Sequence, residues 1–478
     1  MKSSPSPLKM NASAELPRRE ADGPACRVSA TWFRASFSGW RLWLEGSWKW
    51  KAVVMAMVAV HLSFVPWPPS HRTLWTKTAW DTHLFSIEGH PAVDFFSIYE
   101  AGARALRGMD PYSVNEIDAE NPPVRAPYVA SFRYVPAAAW LLGAPLALAP
   151  PWWAYGGWLL LNEFLLLFNL GLTAGLCDKR LRRGLGALWL LWWPLHIEWY
   201  MGQFSFAMGC LLFWTGLALW QGNERKGLIF WGLSAWLKNW TGVFWLWWVL
   251  RSKATAWRAT VWVGLLVLST VGYFALNPHA AGLFYSRGAE RRWAGGMEDL
   301  YWGRQGVQMI PAVLFAGGRL PEQRHSSPSG DEQAPRSISP RGFDPASVVN
   351  LCLSMACLAM MVWLMVCRRE TSVLDVWALV WLWWFFAYLD AWEHHYVMLL
   401  PWLAWMGIRG ALRDWMVWVL AALWGLPSLL IPALWAVSTG DTASPLLVTL
   451  YFLQRPSGVL VVFGVIAYRN LTCVATRG

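Results

Sequence analysis

Long apolar runs, separated by short polar stretches, dominate this chain. They cover about 52–67, 134–149, 152–176, 185–199, 203–220, 228–250, 259–277, 303–317, 346–366, 374–390, 397–410, 414–435 and 446–467. Helices are the expected element, and the pattern predicts an all-α, polytopic membrane protein of about 10–13 hydrophobic segments. Several runs are shorter than the roughly 20 residues that span a bilayer, so about ten true crossings are expected.

Charge assigns a side to each polar stretch. Asp178 to Arg183 (DKRLRR), Glu224 to Lys226, Arg251 to Arg258, Arg368–Arg369 and Arg409 to Arg413 read as cytoplasmic. Keeping all five inside requires three departures from simple crossing. Segment 134–149, with Pro136 and Pro145, re-enters without spanning; 228–250 is a hairpin broken near Lys238; and 303–317 is a short peripheral helix. Such interruptions are tolerated where the backbone is buried in protein or lines a water-filled cavity. The outer side then holds 68–133, the turn at Gln203, 278–345, the turn Trp392 to Tyr396, and 436–445.

The first 51 residues carry nine Lys/Arg against four acids, and Trp32 to Trp50 interleaves Trp and Phe with Arg34, Arg41 and Lys49. That pattern fits a basic cytoplasmic tail ending in an interfacial helix. The first apolar run begins near Ala52, too far along for a cleaved signal peptide, and is expected to stay as a signal anchor. The expected organisation is the tail (1–51), a membrane module with outer loops 68–133 and 278–304 (52–317), a disordered Pro/Ser/charge-rich linker (318–345) and a C-terminal transmembrane bundle (346–478).

Composition agrees with a lipid solvent: 56% of the 478 residues are apolar and 14% charged, against roughly 25% charged in a soluble domain. Forty tryptophans are too many for interface belts alone, so some must line helix faces or a groove. The net charge of +11 is accounted for by Lys/Arg retained in cytoplasmic loops, and without a recognised module nucleic acid is not an expected partner. The seven cysteines avoid the polar loops, which gives no disulfide framework and no CxxC metal site.

The strongest local pattern runs from Asp94-Phe95-Phe96 through Tyr99 and Gly108 to Asp110-Pro111-Tyr112, a helix entered at Asp94 and stopped at Gly108. An Asp at a helix start is usually an N-cap. The chain returns to the membrane at Phe132-Arg133-Tyr134-Val135-Pro136, so the same acid also sits where a lipid-borne substrate would meet it. Asp81, Glu88 and Asp110 are rivals in the same loop, Asp110 reading rather as a turn residue.

These residues, in this order, resemble glycosyltransferase family 87 of the GT-C superfamily. The resemblance rests on Asp94-Phe95 with Tyr99, Gly108 to Tyr112, Tyr134 to Pro136, Asn162, Gly202-Gln203, Lys238, Gly303 to Gln305 and Trp392-Glu393-His394-His395-Tyr396, and covers about 52–410. Two departures are visible: Lys238-Asn239 stands where the family has Lys-Pro, and Gly303-Arg304-Gln305-Gly306 where it has Gly-Asn-Gln-Ser. The resemblance implies a GT-C fold with outer loops forming the active site of a multi-pass plasma (inner) membrane enzyme. It implies inverting transfer of a hexose, mannose first, from a polyprenyl-phosphate donor to a glycolipid or glycan hydroxyl. Asp94 becomes the expected catalytic base. A substrate-binding set of Tyr99, Arg133, Gln203, Lys238, Gln305, Glu393, His394 and His395 follows, with Asn162 and Glu163 in support.

The residues themselves bear on these roles. Lys238 interrupts an apolar run, as a phosphate-binding cation or a snorkelling side chain would. Arg133, at the mouth of the first loop, is a second phosphate candidate or an interfacial anchor. His394 and His395 can donate to phosphate or sugar; with Glu393 and Asp390 they form no recognisable zinc spacing, and no metal is expected. Glu163, an acid inside an apolar segment, needs a partner and is a candidate to orient Lys238 or a loop residue. Gln203 and Glu198 read equally as sugar-hydroxyl contacts or helix caps. No Gly-rich nucleotide loop is present, which favours a lipid-linked donor over a sugar nucleotide, and no cofactor is expected. The rival readings are a transporter or flippase of lipid-linked sugars, expected to show internal repeats and midplane sites, and a glycan ligase using lipid diphosphates. The topology has its own test. In a cysteine-free background, Arg182→Cys is expected to react with an impermeant maleimide from the cytoplasmic side, and labelling solely from outside would overturn the re-entrant arrangement.

Overall fold

A computed structural model of the chain describes residues 31–64, 92–117, 122–128, 131–251, 253–285, 306–307, 310, 345–367, 373–388, 391, 393–409, 413–426 and 445–475. Gln305, Asp81, Glu88, Asp390 and nearly all of the expected linker 318–345 lie outside the described residues. Among the described residues every regular element is helical. Three helices are long and apolar enough to cross a membrane, within Pro151–Leu176, Thr255–Leu276 and Thr449–Tyr468. Shorter apolar helices, Pro136–Leu146, Ser205–Trp220, Leu351–Val366, Val376–Ala387 and Asp414–Gly425, fill much of the remainder.

The tail helix α1 (Thr31–Leu44) ends before a second helix, α2 (Trp48–Phe64), begins, so the stretch expected as one interfacial helix is two elements. Its packing also differs from that of a free surface helix. Ala35 and Gly39, spaced by four, meet Gly171 and Gly175 of α5 (Pro151–Leu176), and a Cβ on Gly39 would collide with the Gly171 carbonyl. Small residues at this spacing let two backbones approach closely, the usual way helices associate in lipid. Polar bonds lock the crossing: Ser36 Oγ donates to the Phe168 carbonyl at 3.0 Å and Trp40 Nε1 to that of Leu167 at 3.0 Å, while Trp43 Nε1 ties α1 to the helix after α5 through the Arg183 carbonyl at 3.1 Å. Several of the many tryptophans thus serve as donors to backbone inside the bundle.

α5 starts on Pro150-Pro151, where proline's fixed φ suits a first turn, and its buried Asn162 and Asn169 each donate to a carbonyl four residues back at 2.8 Å. The amide nitrogen of each is satisfied within its own helix in this way, and Asn169 Oδ1 accepts from Trp214 Nε1 at 2.7 Å. Helix α3 (Val93–Leu106) crosses the interrupted helix α4 (Pro136–Leu146) where Gly102 faces Gly143 with no room for a Cβ on either. α4 contains a π turn at Ala139–Gly143 and spans too few residues to cross a bilayer unaided. Helix α6 (Lys179–Leu191) carries the basic DKRLRR stretch, and α7 (Trp193–Met201), α8 (Ser205–Trp220) and α9 (Glu224–Leu237) follow in close succession.

The described part of the first loop is tied down by ionic and polar bonds. The buried Glu100 carboxylate accepts from the N–H groups of Val124, Arg125 and Ala126 at 2.6, 2.9 and 3.0 Å, and from Arg104 Nε at 3.0 Å. Asp110 caps the 3-10 turn Pro111–Glu116 by accepting from the Tyr112 N–H at 3.0 Å, the turn role its sequence context suggested. It also accepts from the hydroxyl of Tyr273, in α11 (Lys253–Leu276), at 2.7 Å.

The α1–α5 crossing makes a direct prediction. Gly39→Leu should push α1 off α5, loosening the helix so that trypsin cuts at the already exposed Arg34 and Arg41, and lowering the unfolding midpoint in detergent, an overpacking cost of at least about 1–3 kcal/mol. Gly157→Leu, on α5 with open space around its Cβ, should leave both unchanged. Equal behaviour of the two variants would contradict the crossing.

Candidate functional site

The site is built around a turn. Helix α7 ends at Gly202, whose φ of 68° is left-handed. There the Gly202 N–H donates to Trp199 and the Gln203 N–H to Glu198, both at 3.0 Å, closing the helix with carbonyls that would otherwise be orphaned. A Cβ on Gly202 would also stand 2.5 Å from that of Phe95, so glycine is required both for the backbone and for the approach of α3. The start of α3 docks on this turn through the Ala92 N–H, which donates to the Tyr200 carbonyl at 2.6 Å. Ala92 itself is left-handed, with φ 65°, a strained conformation for a residue with a Cβ. It occupies the N-cap position without a side-chain cap, and Asp94 falls in the first turn.

From this turn a polar network spreads through four elements. Asp94 Oδ2 accepts from Gln203 Nε2 at 2.6 Å. Gln203 Oε1 accepts from the Tyr134 hydroxyl at 3.0 Å and from Lys238 Nζ at 3.3 Å. Lys238 Nζ also donates to Ser205 Oγ, the first residue of α8, at 2.6 Å. Lys238 reaches the network because the helix stops there: it is extended (φ −141°, ψ 108°) between α9 and the 3-10 turn Asn239–Phe244. Trp231 Nε1 donating to the Thr241 carbonyl at 2.9 Å, and Ser234 Oγ lying 3.1 Å from Thr241 Oγ1, hold that break.

Glu198 completes the cluster from α7. It is wholly buried, and its Oε1 accepts from the Phe206 N–H at 2.9 Å, capping α8. Its Oε2 has no hydrogen-bond partner. Lys238 and Asp94 both act on this carboxylate electrostatically.

The His394–His395 pair approaches from the 3-10 turn Glu393–Met398, outside the three long apolar helices. The two rings stand 4.1 Å apart, and His395 packs edge-on against Trp384 at 5.0 Å. Burial, with the Lys238 ammonium nearby, holds the His394 imidazole far below its usual value, down to about 3. His395 is depressed too, by burial, His394 and Lys238. Both rings are therefore neutral at ordinary pH, each with one N–H to donate.

Not every residue singled out in the sequence joins this network. Tyr99 is buried among aromatic rings, and its hydroxyl is spent on the Ala149 carbonyl at 2.7 Å. Arg133 is exposed, one residue before Tyr134. Asn162 bonds within α5. Glu163 does not orient Lys238: its carboxylate meets His61 Nε2 at 3.1 Å, and His61 Nδ1 lies 3.2 Å from His196 Nε2. Glu393 forms a buried ion pair with Arg455 of the C-terminal helix α16 (Pro445–Ala475), which ties that helix to the histidine turn.

Conversely, Tyr134 and Ser205 belong to the network without having been assigned a role from the sequence. Tyr134 had a signal, its place in the Phe132 to Pro136 string. Ser205 had none, because a serine opening an apolar helix is unremarkable until Lys238 bonds to it. Among the described residues no three His, Cys, Asp or Glu side chains converge as metal ligands do.

Among the described residues, fold and site together define an all-helical protein with three helices of membrane-crossing length and an acid–amide–amine network. No protein-family model, no curated protein and no solved structure matches it.

The buried histidines carry a pH prediction. A base whose folded pKa lies below its unfolded value near 6.5 leaves the unfolded state binding more protons at acid pH, so stability falls as pH drops below about 6.5 toward 3. Each such imidazole contributes at most about 1.4 kcal/mol per pH unit. The unfolding midpoint in detergent should fall less steeply between pH 7.5 and 5 for His394→Gln than for the wild type. Identical slopes would contradict a neutral, buried His394.

Proposed function

We propose that the protein is a GT-C-type membrane hexosyltransferase, resembling glycosyltransferase family 87. It transfers a hexose, mannose first by that resemblance, from a polyprenyl phosphate to a glycolipid or glycan hydroxyl with inversion. In this reading it is a multi-pass protein of the plasma (inner) membrane, with its site on the extracytoplasmic side.

The observation that carries the reading is the convergence of Asp94, Gln203 and Lys238, residues from three distant parts of the sequence, in one hydrogen-bonded network. An inverting transfer needs a carboxylate on one face of the anomeric carbon and donors to phosphate on the other. The acceptor oxygen forms the new bond to that carbon while its proton passes to the Asp94 carboxylate. The bond from the carbon to the phosphate oxygen breaks, and its electron pair leaves on the phosphate. The Lys238 ammonium and the imidazole N–H of His394 or His395 stabilise that developing charge, often the largest catalytic contribution. Gln203 orients Asp94 through its amide N–H, and its carbonyl holds Lys238. Arg133, exposed at the mouth, meets the incoming anionic headgroup. Fold-level analogy does not identify sugar or acceptor, so donor profiling is the first experiment.

Purified protein given polyprenyl-phosphate sugars and candidate acceptors should yield glycosylated acceptor and free lipid phosphate. A transporter would instead move the intact lipid-linked sugar and release none. Asp94→Asn should keep the fold and lower transfer about 10²–10⁴-fold, the usual worth of a positioned base. Near-normal turnover in that variant would rule out Asp94 as the base.

A further inference from the structure

Two carboxylates, the half-buried Asp94 and the buried Glu198, lie around one ammonium: Lys238 reaches Asp94 through Gln203, and through Ser205 it reaches the start of α8 that Glu198 caps. The other titratable groups turned toward Glu198 are Tyr134, bonded to Gln203, and the neutral pair His394–His395 beyond Lys238. His196, on the same helix, turns instead to His61. Among the described residues Lys238 is the cation hydrogen-bonded into the cluster, and Arg133 stands exposed at its edge, next to Tyr134.

An anionic phosphodiester entering beside Lys238 makes three negative groups to one positive one in a poorly solvated space. Such crowding is relieved by a proton, since like charges that share a buried site do not all ionise. The two carboxylates are not equal candidates. Asp94 is half-buried and receives the Gln203 amide N–H, which favours its charged form. Glu198 is wholly buried, and one of its oxygens has no donor. We infer that Glu198 is the site that takes up a proton when the phosphate-bearing donor binds, so that donor affinity is linked to pH while Asp94 stays ionised to act as base. This rests on the transferase reading above, and it assigns Glu198, beyond its capping of α8, a role in admitting the donor's charge.

The test is calorimetry of the full-length protein in detergent, with a short-chain polyprenyl-phosphomannose as probe and buffers of different ionisation enthalpy at pH 7.5. Wild type should take up close to one proton per donor bound, and its Kd should weaken by up to about tenfold per pH unit as the solution becomes more alkaline. Glu198→Gln, whose amide stands in for the protonated acid, should bind at least as tightly with uptake near zero and a flat pH dependence. Asp94→Asn, which removes one of the three negative charges, should still bind the donor, with a proton uptake no greater than that of the wild type. Binding by the wild type without uptake, or undiminished uptake in Glu198→Gln, overturns the assignment and leaves the transferase reading standing. Absence of any donor binding by the wild type overturns both. The wild-type proton count needs no variant, so absence of uptake overturns the assignment even if Glu198→Gln fails to fold.

Discussion

The side-chain amide of Gln203 is the bond on which the arrangement turns. Its nitrogen donates to Asp94, and its oxygen accepts from Tyr134 and Lys238, joining α3, the entry to α4 and the break after α9. An amide is suited to this because it offers donors and an acceptor at opposite ends, matching a carboxylate on one side and an ammonium on the other. Its position depends in turn on Gly202, the one residue type that allows both the left-handed closure of α7 and the approach of Phe95. Remove the turn and the acid and the amine have no common partner.

Buried acids elsewhere in the chain show what a purely structural carboxylate looks like here. Glu100 is satisfied by three backbone N–H groups and Arg104, Glu393 by Arg455, and the part-buried Glu163 by His61. Each ties together segments remote in sequence, and each charge has a partner, as an apolar surrounding demands. Glu198 differs: one oxygen caps α8, and among the described residues no basic side chain is hydrogen-bonded to it. The contrast separates acids that hold the bundle together from those that leave capacity for chemistry.

Packing in the apolar body follows the same economy. The closest helix approaches, α1 on α5 and α3 on α4, occur at glycines, where backbone meets backbone. Tryptophans fill the wider gaps and donate indole N–H groups to carbonyls such as those of Leu167, Arg183, Thr241 and Tyr396. Large aromatic area and a polar handle in one side chain suit a fold that must bury surface and satisfy backbone at once. For these tryptophans the structure gives a role that composition alone left open.

Helix formation, the long apolar character of 151–176, 255–276 and 449–468, the break at Lys238 and the turn at Asp110 were legible in the sequence, because each depends on neighbours within a few residues. So was a short list of polar residues that an apolar setting makes conspicuous, Asp94, Gln203, Lys238 and the His394–His395 pair among them. What only the tertiary structure decided was partnership. Glu163 and Glu393 were candidates beside Asp94 until His61 and Arg455, about 100 and 62 positions away, proved to be their partners. Tyr99 turned to a backbone carbonyl and Ser205 to an ammonium for the same reason. Sequence fixes which groups are costly to bury through local periodicity and charge; which of them find each other depends on helix crossings set by glycine contacts tens to hundreds of residues apart, and no local pattern records those.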